Sequence, residues 1–146
     1  MYTSEKSTKL TLFCTYIFCF LFAVMTVAFV PISKWLSYRD PSFTVTEVSI
    51  AFYICCPLGW VTLIGIIRLL KNILKDEVFT EQTVKILRIM SWCCAAVCLV
   101  CFATFFFYRL FIIFSVCSGL MMLILRVLKN VMARAVEIKN ENELTI

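Results

Sequence analysis

The sequence predicts an all-α integral membrane protein of four transmembrane helices, with both termini in the cytoplasm and the last helix extended there. Three observations predict it. The 146 residues are 62% hydrophobic and 16% charged, with a mean hydropathy of +0.96. A soluble domain carries about 25% charged residues, and a chain of this length cannot hide so much apolar surface in one core. The apolar residues also fall into long uninterrupted runs, and the Lys and Arg residues cluster between particular runs.

The first run, Leu10–Val30, has 21 residues and no charge. A hydrocarbon core about 30 Å thick needs about 20 helical residues, so this is one span, 10–30. The run is too long for a cleaved signal peptide, and no small-residue cleavage site precedes Pro31, so it is expected to stay as an anchor. The segment "PISKWLSYRDPSFT" then reads as an outer loop. In it Trp35 and Tyr38 serve as interfacial anchors and Asp40–Pro41 as a turn. Val48–Ile67 is a second uncharged run and gives a span over 48–70.

Ile89–Leu125 spans 37 residues with Arg109 as its one charge. As a single helix it would be about 55 Å long, too long for a bilayer even when tilted. An arginine is costly at the bilayer centre and cheap at the interface, where a tyrosine is also favoured. The turn therefore belongs at Phe107–Leu110, although "FFFYRLF" contains no Gly, Pro or Asn. It separates spans at 86–107 and 110–128. A cytoplasmic loop is expected over 71–85 and a cytoplasmic helical tail over 129–146.

Orientation follows from charge. Lys6, Lys9, Arg68, Lys71, Lys75, Lys85, Arg88, Arg126, Lys129, Arg134 and Lys139 share one side, against Lys34, Arg39 and Arg109 on the other. The positive-inside rule places the richer side, with both termini, in the cytoplasm.

Two short polar phrases recur, "FTVTEV" at 43–48 and "FTEQTV" at 79–84. In the first, Thr44 and Glu47 have the spacing of a capping box, with Phe43 and Val48 as a hydrophobic staple. In the second, Thr80 is the N-cap, Phe79 and Val84 the staple, and Glu81 faces the helix dipole. Both are start signals for helices entering the membrane from opposite sides.

The last span runs on without a helix breaker. Val127, Leu128, Val131, Met132, Ala135, Val136 and Ile138 recur at helical spacing, with Lys129, Asn130, Arg134 and Glu137 mostly opposite. A helix projecting about 20 Å beyond the membrane must bury such a stripe on the loop, on headgroups or on a partner.

The segments "DEVFTEQTVKILRI" and "VEIKNENELTI" carry a resemblance. They are similar to "NPF(S/T)xxxxxxLRxI" and "ELxxExDLT(I/V)" in the small four-span bacterial membrane proteins of the domain-of-unknown-function family numbered twenty-nine seventy-five. Phe79, Thr80, Leu87, Arg88 and Ile89 match the first pattern, and Glu141, Leu144, Thr145 and Ile146 the second. Glu77–Val78 replaces the Asn-Pro, and Glu143 stands for the acidic residue. Members of that family are often encoded beside a small helix-turn-helix regulator. The resemblance thus implies a bacterial cell-membrane location and a soluble DNA-binding partner, and no catalytic residues. The partner-binding residues expected are Phe79, Thr80, Leu87, Arg88, Glu137, Glu141, Leu144, Thr145 and Ile146, with the Phe79 segment adjoining the tail.

Other function classes fare worse. The chain has nine cysteines and no histidine. Cys94, Cys98 and Cys101 share a helical face, but in mid-span hydrocarbon, where a thiolate is disfavoured. The outer loop has no cysteine to relay electrons. A membrane thiol redox protein is the weaker alternative, and a metal site lacks paired ligand motifs. No charged residue falls within the apolar runs 10–30, 48–67, 89–107 and 110–125, which argues against an ion-coupled exporter. A transporter or binder of a lipid or apolar small molecule stays open. Pro57 and Gly59 offer a kink, and Gly119 close packing. No Ser/His/Asp set, phosphate loop or carboxylate pair points to an enzyme, and no cofactor is expected. The basic residues have too many acidic neighbours for direct nucleic-acid binding. The lipid bilayer is the first partner, and the sequence does not set the oligomeric state.

Overall fold

The computed structural model describes residues 2–39, 45–75 and 78–145. They form four α-helices, α1 (Tyr2–Arg39), α2 (Val45–Leu74), α3 (Glu81–Phe105) and α4 (Phe111–Leu144), and no strand among them. All four are long and apolar enough to cross a membrane. Phe43, Thr44, the Asp40–Pro41 turn and Ile146 lie outside the described residues.

The segment after Pro31 departs from expectation. It was expected as a loop, yet α1 continues through Pro31 to Arg39. Proline removes one donor from the helical ladder. Ser33 Oγ donates to the Val30 carbonyl at 2.9 Å nearby, and among the described residues this side chain is the most buried, at 2% exposure. One lost bond does not stop a helix already several turns long.

The turn between α3 and α4 occupies 106–110 and forms without a breaker residue. The Thr104 carbonyl accepts from the N–H of both Phe107 and Tyr108 at 3.0 Å. Across the turn, the N–H groups of Phe111, Ile112 and Ile113 donate three residues back, to Tyr108, Arg109 and Leu110, at 3.1–3.2 Å. Tight three-residue bonds on both sides satisfy the backbone, while Phe102 and Phe106 pack edge to face. Arg109 projects outward.

Each helix packs on its neighbours in sequence, and among the described residues no other pair of helices comes into backbone proximity. The four therefore make an open antiparallel row, with α1 and α4 at its edges. The α1–α2 seam is aromatic and tight. Phe22 meets Trp60, Phe29 stacks on Phe52 at 3.8 Å, and Thr26 Oγ1 lies 3.5 Å from Cys56 Sγ. Gly59 gives the Phe22 ring its space: a Cβ there would stand 2.7 Å from it. At the α2–α3 seam Gly65 faces Met90 in the same manner.

The α3–α4 seam uses hydroxyls. Ser115 Oγ donates to the Cys98 carbonyl at 3.1 Å and Ser118 Oγ to the Cys94 carbonyl at 2.8 Å. Such interhelical bonds contribute roughly 0.6–2 kcal/mol each in an apolar surrounding. Toward the far end the seam becomes apolar, where Ile86, Leu87, Met90 and Leu125 form a core flanked by Ile66, Leu69 and Met132. By contrast, Phe13, Phe18, Phe20 and Val27 of α1 are all more than 60% exposed. A helix apolar on nearly every side has a surface suited to contact with lipid.

Candidate functional site

The start of α3 is fixed by its cap. Thr80 is extended (φ −128°, ψ 150°), and its Oγ1 accepts from the Thr83 N–H at 3.4 Å. Its carbonyl takes the N–H of Thr83 and Val84. Thr83, 3% exposed, then begins the buried face that continues as Ile86, Leu87 and Met90. Thr80→Ala is expected to lower stability by about 1 kcal/mol. The thermal midpoint in detergent would report it, with Thr80→Ser as the variant that restores the cap.

The cap leaves Phe79 half-exposed beside α4. Phe79, Ala135, Ile138, Lys139, Asn142 and Glu143 line one open groove of about 410 Å³. The α4 residues 135, 138, 139 and 142 share one helical face. Its rim carries a Lys139–Glu143 ion pair at 3.9 Å, exposed and so of small energetic weight. The groove is apolar at Phe79, Ala135 and Ile138 and polar at its edge.

The expected site residues separate here. Phe79 is brought against the tail, and Thr80 holds the geometry. Leu87 is 5% exposed and belongs to the core, so it is a packing residue and not a contact surface. Arg88 lines a different groove, on Val84 and the first part of the α4 extension. Glu137, Glu141, Leu144 and Thr145 are exposed and do not line the Phe79 groove. Thr145 Oγ1 donates to the Glu141 carbonyl and closes the helix end. Ile146 lies outside the described residues.

The tail stripe also divides. Val136 is buried and Met132 packs on the core, whereas Val127, Val131 and Ile138 are exposed. The spacing of Ala135, Ile138, Lys139 and Asn142 was in the sequence. What identifies this face as a groove wall is Phe79, more than fifty residues earlier.

A third cavity, of about 280 Å³, is lined from all four helices, by residues including Phe22, Phe52, Gly59, Cys94 and Ser118. The row thus curves around it. None of the nine cysteines is in a disulfide. Cys56, Cys93 and Cys101 are buried, and Cys98 Sγ lies 3.5 Å from Ser115 Oγ. They pack as small apolar groups do. Among the described residues no group of three His, Cys, Asp or Glu is placed to hold a metal ion.

No curated protein and no solved structure matches the chain significantly. The family described as protein of unknown function (DUF2975) matches it over residues 4–146. With nearly its whole length and all four apolar helices inside the match, the chain belongs to the DUF2975 family of small four-span proteins.

Proposed function

We propose that this chain is a non-enzymatic, multi-pass protein of a bacterial cell membrane that holds a soluble cytoplasmic partner, a small helix-turn-helix transcription regulator. Both termini, the 75–80 connection and the α4 extension face the cytoplasm, in keeping with the distribution of Lys and Arg. The supporting observation is the groove that Phe79 shares with Ala135, Ile138, Lys139, Asn142 and Glu143. An apolar floor with a charged rim is the anatomy of a docking surface. The groove lies between α4 and Phe79 just before the α3 cap, so a shift of α3 against α4 alters its width and with it the partner's affinity.

The test is a mild-detergent capture from the native host, comparing the full chain with one lacking 137–146. Val136 is kept, so the buried seam is intact. The full chain is expected to bring down a small protein identified by mass spectrometry as a helix-turn-helix regulator, and the shortened chain to lose it. Equal recovery by both, or none by either, sinks the docking reading.

A second reading, a binder of a lipid or apolar small molecule, is favoured by the cavity that all four helices line. Its apolar walls carry a few hydroxyls and thiols, as small-molecule sites do. A chain that captures no regulator but purifies with an apolar ligand would support it.

A further inference from the structure

The groove that holds Arg88 differs in chemistry from the Phe79 groove and shares no lining residue with it. It measures about 450 Å³, and Arg88 of α3 faces Lys129, Asn130 and Arg134 of α4 across Val84 and Val131. Three of these six residues are cationic and none is a carboxylate. Among the described residues no ion pair neutralises Arg88, Lys129 or Arg134; the pair Lys139–Glu143 lies at the other groove. Cations gathered on apolar walls repel one another, and an anion between them relieves that cost.

What lies next to the groove indicates which anion. Trp92 stands one turn from Arg88, and Arg126 one turn from Asn130. The Arg126 guanidinium carbon sits 5.8 Å from the centre of the Trp92 ring. An exposed Trp beneath an Arg is the pairing found at headgroup depth. Further along the same faces come Leu99 on α3 and Leu123 on α4, both exposed. The surface therefore grades from cations, through an Arg–Trp pair, to hydrocarbon. Phosphate, glycerol and acyl chain follow in that order along a phospholipid.

We propose that this groove binds one anionic phospholipid, with its headgroup phosphate held by Arg88, Lys129 and Arg134 and its acyl chains laid along Leu99 and Leu123. The Asn130 amide supplies a neutral donor beside the cations. Basic pockets between membrane helices on the cytoplasmic side suit such headgroups. A free phosphate would satisfy the cations but leave the apolar continuation unused. The proposal rests on the membrane placement of the helices and is independent of the soluble partner.

Native mass spectrometry of the full chain, released from detergent micelles, tests it. Phosphatidylglycerol, phosphatidylcholine and inorganic phosphate are titrated separately. The wild type is expected to retain one phosphatidylglycerol at least tenfold more tightly than phosphatidylcholine. Each cation removed should cost roughly fivefold, so Lys129→Gln falls about fivefold and Arg88→Gln/Arg134→Gln about 25-fold. Arg109→Gln, exposed at the opposite end, should bind as the wild type does. Equal retention of the two lipids overturns the proposal, as does undiminished binding by the double variant. Displacement of phosphatidylglycerol by inorganic phosphate at matched concentration assigns the groove to a free anion and also overturns it. Release of the chain from membranes without detergent would defeat the membrane placement itself, separately from the lipid site.

Discussion

Replacing Gly59 by valine is expected to separate α1 from α2 and cost about 3 kcal/mol. Even an ideal Cβ at residue 59 would stand 2.7 Å from the tip of the Phe22 ring and 3.3 Å from the next atom. A flexible chain end gives way cheaply; an aromatic ring held against Trp60 does not. Overpacking typically costs 1–3 kcal/mol. An alanine would recover up to about 1 kcal/mol of helix propensity against that cost, whereas valine recovers less and adds two methyl groups. The open row then decides how the strain is relieved: α1 comes into backbone proximity with α2 alone, so moving away leaves the α2–α3 and α3–α4 packing in place. The thermal midpoint in detergent should fall by several degrees. In a Trp35→Phe/Trp92→Phe background, Trp60 emission should shift as Phe22 withdraws. An unchanged midpoint and emission would show that the seam is slack.

Val136→Asp should release the α4 extension from α3. Val136 is 7% exposed and lies on the same stripe as Met132 and Leu125. A carboxylate there is buried without a partner, which costs about 3 kcal/mol or more unless the segment moves into water. Leu125 and the serine bonds to Cys94 and Cys98 hold the rest of the seam, so the extension yields first. At about 1.4 kcal/mol per decade, amide exchange over 129–144 should quicken about a hundredfold, and the groove with Phe79 is lost with it. Ile138→Asp makes the same chemical change at a 58% exposed position. It should leave exchange within about twofold while weakening capture of the proposed soluble partner. Equal exchange in the two variants would mean that Val136 does not anchor the tail.

Much of this architecture was legible along the chain. The turn near Tyr108–Arg109 could be placed because the cost of a central charge and the length of the run both point there. The Thr80 cap could be placed because capping is local: one side chain, one N–H, three residues apart. The segment 31–39 was misread for a related reason. Proline is read locally as a breaker, but the cost of one missing bond is weighed against the whole helix, and here the helix prevails.

The candidate site was legible in part. Periodicity marked the α4 extension as striped, but one stripe contains residues of opposite fate. Val136 and Met132 turn into the seam; Ile138 and Val131 stay outside. Leu87 and Arg88 stand side by side in the sequence, and one became core while the other became a groove wall. A helix turns by about 100° per residue, so adjacent positions face different neighbours. Only the neighbours decide what each does.

The sequence by itself determined the four apolar helices, the turn between α3 and α4, the Thr80 cap and the asymmetry of charge. These depend on hydropathy, chain length and hydrogen bonds between near residues. The tertiary structure alone decided that the helices form an open row, that Phe79 meets the face of Ala135 and Ile138, and that Arg88 joins Lys129 and Arg134. Those contacts join residues some forty to sixty positions apart, and in an apolar surrounding no burial pattern announces them. The row is shaped at Gly59 and Gly65, and the α3–α4 contacts are set in part by hydrogen bonds from Ser115 and Ser118, which become visible only once the partner helix is in place.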